Sequence, residues 1–161
     1  MSEQPIKVGL NESPSAKLIH LATYKRYLAI ARRGNLYHFT SNPEASAFPQ
    51  DHAKRVFFTV ASADEFWRFK AKALVTPPDL VFIDSLNLWT DPLSLVKYVH
   101  RSFGAPIVML CQPSDAIERP HFVKEAYRAG ISDALYPPLH EEELLETMEV
   151  LLKLGPPRFV D

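Results

Sequence analysis

The feature that most constrains the fold is a run of four apolar residues, Leu80 to Ile83, which ends in an acid, Asp84. A strand that is apolar on both faces must be covered on both, as is typical of a parallel sheet between two layers of helices. Asp84 would then stand at the carboxyl end of a buried strand, where sheets of this kind place their functional sites.

The same alternation of strands and helices continues along the chain and predicts five β/α units in series. Alternating units with right-handed crossovers give an α/β fold, a doubly wound five-stranded parallel sheet in a three-layer sandwich. Residues 35–54 hold two prolines and no sustained period, so they predict an irregular insertion after the first helix. The predicted strands are Ile6–Leu10, Arg55–Ala61, Leu80–Asp84, Pro106–Cys111 and Ser132–Tyr136. The predicted helices are Ala16–Arg33, Ser62–Leu74, Pro92–Phe103, Pro120–Ala129 and His140–Leu154.

Length and composition indicate one ordinary globular domain over 1–161, with 155–161 as a C-terminal tail. The chain has 161 residues, 47% of them apolar and 23% charged, and a net charge of -1, so nothing in it favours nucleic acid as a partner. No leader and no membrane-length apolar segment is evident, and we expect a cytoplasmic protein that does not contact the membrane. The single cysteine excludes an intramolecular disulfide.

Motifs for catalysis are missing from the sequence. The five glycines lie singly and form no phosphate-binding loop, and no GxSxG nucleophile motif occurs. We therefore expect no enzyme, and the alternative of a small flavodoxin-like enzyme or ligand-binding domain would rest on fold analogy alone.

Several segments carry a more specific pattern. Asn11-Glu12-Ser13-Pro14 follows the predicted first strand, and PPDLVFID delivers Asp84 to the end of the third. Gly104-Ala105-Pro106 precedes the fourth strand and Ala129-Gly130 the fifth. With these segments, about residues 5 to 154 of the chain resemble the receiver domains of bacterial response regulators, the CheY-like domains of two-component phosphorelay signal transduction.

The resemblance implies roles for three acidic or polar positions. Asp84 matches the phosphoacceptor aspartate of receivers, and Asn11 and Glu12 match their acidic pocket. A receiver holds a magnesium ion between that pocket and the acceptor, so Glu12 and Asp84 would form the metal site. Because Asn11 offers only a neutral oxygen, we expect weak Mg²⁺ binding at most and no required cofactor.

Other family positions depart from the pattern. Cys111 stands where receivers have a hydroxyl residue, Pro137 where they have a lysine, and Ala134 where they have a switch aromatic. The proline that follows a commonly cis peptide is kept, as Pro138. The resemblance therefore implies an atypical receiver, or pseudo-receiver, in which phosphorylation has lost the contacts that couple it to a conformational change.

The expected function is a stand-alone signalling module that binds a protein partner, independently of phosphorylation. By resemblance, the contact face would comprise the fourth helix, fifth strand and fifth helix of the receiver, with Phe122, Tyr127, Tyr136 and Leu139 as interface residues. A phosphoacceptor response regulator that uses Asp84 with magnesium is the alternative. The segment 35–54 could instead carry recognition or mediate homodimer formation.

Overall fold

A computed structural model describes residues 14–43, 48 and 51–153 of the chain, with side chains from residue 21 onward except Asp51 and His52. The helices are α1 (Pro14–Arg33), α2 (Asp51–Arg55), α3 (Ala63–Lys72), α4 (Pro92–Phe103), α5 (Asp115–Glu118), α6 (Pro120–Ala129) and α7 (Glu141–Leu151). The strands are β1 (Leu36–Phe39), β2 (Phe57–Val60), β3 (Leu80–Asp84), β4 (Ile107–Leu110) and β5 (Asp133–Leu135).

The five strands form one parallel sheet in the order β2-β1-β3-β4-β5. The apolar run of β3 lies at its centre between β1 and β4, and Leu80 to Ile83 are fully buried. Helices cover both faces of the sheet, so the predicted doubly wound α/β architecture is confirmed.

Strand β1 corrects the prediction for residues 35–54. That segment was expected to be irregular, but Leu36–Phe39 pairs with both β2 and β3 and is buried throughout. Four residues are too few to establish a period, and His38 breaks an otherwise apolar and aromatic run. The signals that mark the strand are Gly34-Asn35 before it and Ser41-Asn42-Pro43 after it. The strand predicted at Ile6–Leu10 lies outside the described residues, as does the tail 155–161.

Two apolar cores lie on opposite faces of the sheet. On one face α1, α2 and α7 pack over the side chains of Leu36, Leu80 and Phe82. On the other face α3, α4 and α6 pack over Tyr37, Phe39 and Ile83, among other strand residues. Successive side chains of a strand point to opposite faces of the sheet. Because helices cover both faces, every residue of β1 is buried.

Helix α1 precedes the sheet and lies beside α7. Tyr27 and Ile30 are buried in the core beneath it. Arg26 donates to both carboxylate oxygens of Glu149 at 2.7 and 2.9 Å, and to those of Glu142 at 2.9 and 3.1 Å. The hydrogen bond to Glu149, opposed by partial burial and assisted by Glu142, raises the pKa of Arg26 above its ordinary value.

The helix ends follow local sequence signals. Asp91 caps α4 by accepting from the amide of Ser94 at 2.9 Å, Pro92 occupies the first turn, and Gly104 ends the helix at φ 65°. Gly130 ends α6 at φ 131°, and a Cβ there would lie 2.7 Å from Cγ of His100. No helix in the described part of the chain has the length and apolarity to cross a bilayer.

Candidate functional site

The carboxyl ends of β1, β3 and β4 meet at one edge of the sheet, as they must when the strands are parallel. Asp84 ends β3, with its side chain 23% exposed. Thr40 follows β1 on one side of it and Cys111 follows β4 on the other. Sequence reasoning placed Asp84 at this edge, but it did not predict the strand Leu36–Phe39 beside it.

Both carboxylate oxygens of Asp84 are engaged within the protein. Oδ1 accepts a hydrogen bond from Nε2 of His38 at 2.7 Å, and Oδ2 accepts one from the hydroxyl of Thr40 at 2.5 Å. An ionised carboxylate can only accept, so the proton of this contact belongs to the imidazole Nε2. Asp84 thus closes a hydrogen-bonded triad with two side chains of the strand next to it.

The His38 ring is held in an aromatic pocket. It is 7% exposed, and its centroid lies 5.2 Å from that of Phe48 and 6.1 Å from that of Phe57, both in edge-on geometry. A polar ring in such surroundings needs a hydrogen-bond partner, and Asp84 provides it. The triad is therefore explained by the burial of His38 and Thr40, without reference to a ligand.

The residues after β1 join the two loops at this edge. The Ser41 hydroxyl donates to Oδ1 of Asn87 at 3.0 Å and accepts from the amide of Leu88 at 2.5 Å. The indole of Trp89 donates to the carbonyl of Thr40 at 3.0 Å. Neutral groups thus bridge the β1 and β3 loops directly.

Asn11 and Glu12, the expected acidic pocket, lie outside the described residues. The strand that neighbours β3 here is Leu36–Phe39, and the residues that follow it are Thr40 and Ser41. These two therefore occupy the place that the resemblance gives to the acidic pair. Neither carries a charge.

A magnesium ion, which the receiver fold implies, does not fit the described residues of this edge. Mg²⁺ requires several oxygen ligands, including carboxylates, in octahedral geometry. Asp84 is the carboxylate at the junction of β1 and β3, and both of its oxygens are hydrogen-bonded. Nowhere in the described ranges do three or more His, Cys, Asp or Glu side chains form a group that could hold a metal ion.

Cys111 stands at the receiver's hydroxyl position and is 1% exposed. Burial, with the negative charge of Asp115 added, raises the pKa of its thiol to about 11. The thiol is therefore protonated at neutral pH, and its Sγ lies 4.0 Å from the carbonyl oxygen of Met109, to which it donates. A protonated, buried thiol makes a weak donor and a poor nucleophile.

The fifth strand also lacks the receiver's polar groups. Pro137 occupies the lysine position and the Pro137-Pro138 peptide is cis, as the sequence pattern predicts for Pro138. Ala134, in the place of the switch aromatic, is partly buried against the core beneath α6. Tyr136, the residue that follows β5, is partly buried against the same core.

Sequence reasoning missed a second polar cluster, centred on Asp115. This carboxylate is 2% exposed and accepts from the Ser85 hydroxyl at 2.6 Å, the Gln112 amide at 2.7 Å and Nε of Arg119 at 3.0 Å. Burial alone would raise the pKa of Asp115, but these hydrogen bonds outweigh it and lower the pKa below its ordinary value. The i,i+4 spacing of Asp115 and Arg119 was the available signal.

The predicted interface residues differ in exposure. Tyr127 on α6 is 47% exposed, whereas Phe122 and Tyr136 are partly buried against the core. Leu139 is buried at 7% exposure in the core beneath α7, so the prediction that it presents itself to a partner is wrong. A leucine that follows a strand by a few residues is more often a core residue.

Solved structures with the same fold are receiver domains. A two-component response regulator from Clostridium difficile matches with a TM-score of 0.56 and 17% identity, over 74% of this chain and 96% of that one. The receiver domain of a Francisella response regulator matches with a TM-score of 0.58 and 17% identity, over 75% and 98% of the two chains. The receiver domain of a histidine kinase from Syntrophus aciditrophicus matches with a TM-score of 0.55 and 20% identity, over 74% and 91%.

These likenesses identify the architecture as the receiver-domain fold, in agreement with the resemblance seen in the sequence. No protein-family model and no curated protein matches the chain.

Proposed function

We propose that the protein is a receiver-like signalling module that acts by binding a protein partner and does not depend on phosphorylation. The observation that carries the proposal is the occupation of both Asp84 oxygens by His38 and Thr40. The carboxylate would have to give up one of these bonds before it could attack a phosphoryl group.

The surroundings of Asp84 support the same conclusion on electrostatic grounds. Phosphoryl transfer to a carboxylate brings negative groups together and needs a cation between them. Thr40 and Ser41 provide no charge for holding that cation, and Pro137 provides no ammonium to pair with the product. A charge-assisted hydrogen bond contributes about 1.5 to 3 kcal/mol, so its loss removes much of the driving force for a phosphorylation switch.

The partner would bind the face formed by α6, β5 and α7. Tyr127, half-exposed on α6, is its best-placed side chain, because a tyrosine combines a large contact area with a polar end. Burial raises the pKa of Tyr127, so its hydroxyl stays neutral and can donate to a partner.

An NMR titration tests the independence from phosphorylation. The amide spectrum is recorded with magnesium alone, and then with magnesium and beryllofluoride or acetyl phosphate. We expect no shift at Asp84, Cys111 or α6. Saturable shifts that spread from Asp84 into α6 would overturn the proposal in favour of a phosphoacceptor response regulator, and shifts with magnesium alone would establish a metal site.

A designed variant provides the matched positive control. Thr40→Asp places a second carboxylate beside Asp84, so its melting temperature should rise when millimolar magnesium is added, whereas Thr40→Asn should not respond. If the amide spectrum of Thr40→Asp also shifts with magnesium and that of the wild-type protein does not, a silent wild-type titration cannot be ascribed to an insensitive assay.

The partner face is tested separately, by signalling output in the native cell. Tyr127→Ala should abolish the output, while Asp84→Asn, which removes the acceptor but can keep its hydrogen bonds, should leave it unchanged. Loss of output with Asp84→Asn alone would contradict a phosphorylation-independent function.

A further inference from the structure

Helix α3 has apolar side chains on its outer side as well as toward the core. Phe69 and Ala73 are buried at 3% and 4% exposure, whereas Trp67 is 70% and Leu74 is 85% exposed. Ala71, between the last two, is also exposed. Their spacing, i, i+4 and i+7, places Trp67, Ala71 and Leu74 in one row along the helix and the turn that follows it. We call this row the α3 seam.

Hydrogen bonds hold the far end of the seam in place. Leu74 follows α3, and its amide donates to the carbonyl of Ala71 at 3.3 Å. The amide of Thr76 donates to the carbonyl of Lys72 at 2.8 Å. The hydroxyl of Tyr37 in β1 donates to the carbonyl of Thr76 at 2.8 Å and ties the turn to the sheet. The exposed apolar area is therefore presented in one arrangement, which lowers the cost of ordering it when a partner binds.

Positive charge borders the seam on both sides. Nζ of Lys70 lies 4.8 Å from the ring centroid of Trp67, and Nζ of Lys72 lies 3.5 Å from that of Phe58. Both ammonium groups are thereby held over aromatic faces. Arg68 is exposed on the same side of the helix as Lys72. These three bases surround the C-terminal half of the row.

We propose that the α3 seam is a docking surface for an amphipathic helix of a partner protein, one with acidic residues beside its apolar stripe. Apolar side chains of that helix would pack over Trp67 and Leu74, and the small side chain of Ala71 would let the two helices approach closely. Tryptophan is among the residues that contribute most to binding at interfaces. Carboxylates beside the stripe would meet the three bases, which is why the partner helix is acidic.

Other occupants fit this surface less well. Asp64 is exposed one turn before Trp67, so an anionic lipid surface would meet a negative charge at that end of the seam. A partner helix can place a base there, which would also fix its direction. A second copy of the chain would bring three bases against three, offset on each copy by Asp64, because the carboxylate of Glu65 already accepts from the amide of Ala61 at 2.8 Å.

A helix-stapled peptide with leucines at i, i+4 and i+7 and glutamates on both flanks is the probe, and its twin carries lysines in place of the glutamates. We expect the acidic peptide to shift the amide resonances of α3 and the turn after it, in a saturable and salt-dependent way, and the twin to leave them unchanged. Equal binding of both peptides, or no binding of the acidic one, would overturn the proposal. Binding of vesicles of phosphatidylcholine and phosphatidylglycerol in its place, or a dimer in sedimentation that Trp67→Ser abolishes, would overturn it as well.

Matched variants assign the binding to the seam. Trp67→Ser with Leu74→Ser should raise the dissociation constant of the acidic peptide by about tenfold or more. Leu88→Ser with Ile117→Ser, at positions 85% and 84% exposed elsewhere on the molecule, should leave it unchanged. An equal loss in both pairs would mean nonspecific apolar contact and would contradict a docking surface. Circular dichroism of each variant verifies that it is folded.

Crosslinking in the native cell tests the natural partner. A benzophenone amino acid in place of Ala71 should form an adduct whose sequence shows acidic residues beside an apolar helical stripe, whereas the same group at the exposed Ala116 should not. No adduct at Ala71, or an adduct of another sequence pattern, would refute the proposal. Tyr127→Ala should leave the adduct in place, because α3 follows β2 and Tyr127 precedes β5, at opposite edges of the sheet. Failure here is therefore distinguishable from failure of the Tyr127 face.

Discussion

At the scale of single residues, Asp84 is better understood as the partner of two buried groups than as a free acceptor. It satisfies His38 and Thr40, which are 7% and 1% exposed. A carboxylate in a cluster of acids would destabilise its neighbours by repulsion, and its removal would relieve the protein. Here its removal would leave two buried donors without an acceptor. The sign of the change in unfolding free energy when the Asp84 carboxylate is removed therefore distinguishes a partner of buried groups from a free acceptor.

Asp84→Ala should lower the free energy of unfolding by about 1 to 3 kcal/mol, the cost of unsatisfied buried polar groups. Asp84→Asn should cost less than about 1 kcal/mol, because its amide can accept from His38 and donate to the Thr40 hydroxyl. Urea denaturation of the three proteins provides the comparison. A stabilised Asp84→Ala protein would show that the carboxylate is strained where it lies.

Asp115 predicts a dependence of stability on pH. Its folded pKa is lowered by Ser85, Gln112 and Arg119 against the effect of burial, while the unfolded chain should show the ordinary value of about 3.9. Between these two pKa values the unfolded state binds the proton first. The stabilisation is therefore complete above about pH 5 and is lost as the pH falls through the folded pKa.

Denaturation curves at neutral and acid pH test this dependence. Asp115→Asn should be clearly less stable than the wild-type protein at neutral pH, and the difference should narrow below about pH 4. A difference that stays constant down to that pH would mean that the ionised form of Asp115 makes no special contribution.

At the scale of elements, local apolar pattern was enough for β3, β4 and the five longer helices, because burial on two faces and caps such as Asp91 and Gly104 are local signals. The short helices α2 and α5 were not predicted. Strand β1 is four residues long and carries His38, whose polarity is balanced only by a residue 46 positions away. No local pattern contains that contact. Because β1 was not predicted, Thr40 was not expected beside Asp84.

The contact of α1 with α7 predicts a sharp dependence on Arg26. Glu149 is 6% exposed, so Arg26→Leu leaves a buried carboxylate unpaired and should cost about 3 to 5 kcal/mol. Adding Glu149→Leu should restore most of that loss, and Lys25→Leu, on the adjacent exposed position, should change stability by less than about 0.5 kcal/mol. Thermal unfolding measures all three, and a double variant as unstable as Arg26→Leu would refute the pairing.

At the scale of the whole molecule, the two apolar cores lie on opposite faces of one sheet and share its strands. Helix α1 covers part of one face through Tyr27 and Ile30, which are 1% and 0% exposed. Helix α1 lies beside α7 and comes from the sequence before β1. The connection from β1 to β2 contains, in its described part, only the five-residue α2. The covering of this face therefore depends on residues that precede the sheet.

A chain that begins at Gly34 should consequently lose its cooperative transition. Without Tyr27 and Ile30, the apolar residues of α7 beneath them become accessible, which favours a compact state without fixed packing. We expect a weakened near-ultraviolet circular dichroism signal and stronger binding of a hydrophobic dye. A truncated chain with a sharp melting transition close to that of the full chain would contradict this dependence.

The ion pairs of Arg26 can form only late in the synthesis of the chain. They join residues 116 and 123 positions apart, so α1 emerges from the ribosome long before the helix it packs against. At about 5 to 20 residues per second, a basic helix with exposed apolar residues waits for roughly 6 to 25 seconds before its acidic neighbour exists. During that interval α1 depends on its own helical stability, and the domain closes only when its final helix leaves the ribosomal tunnel.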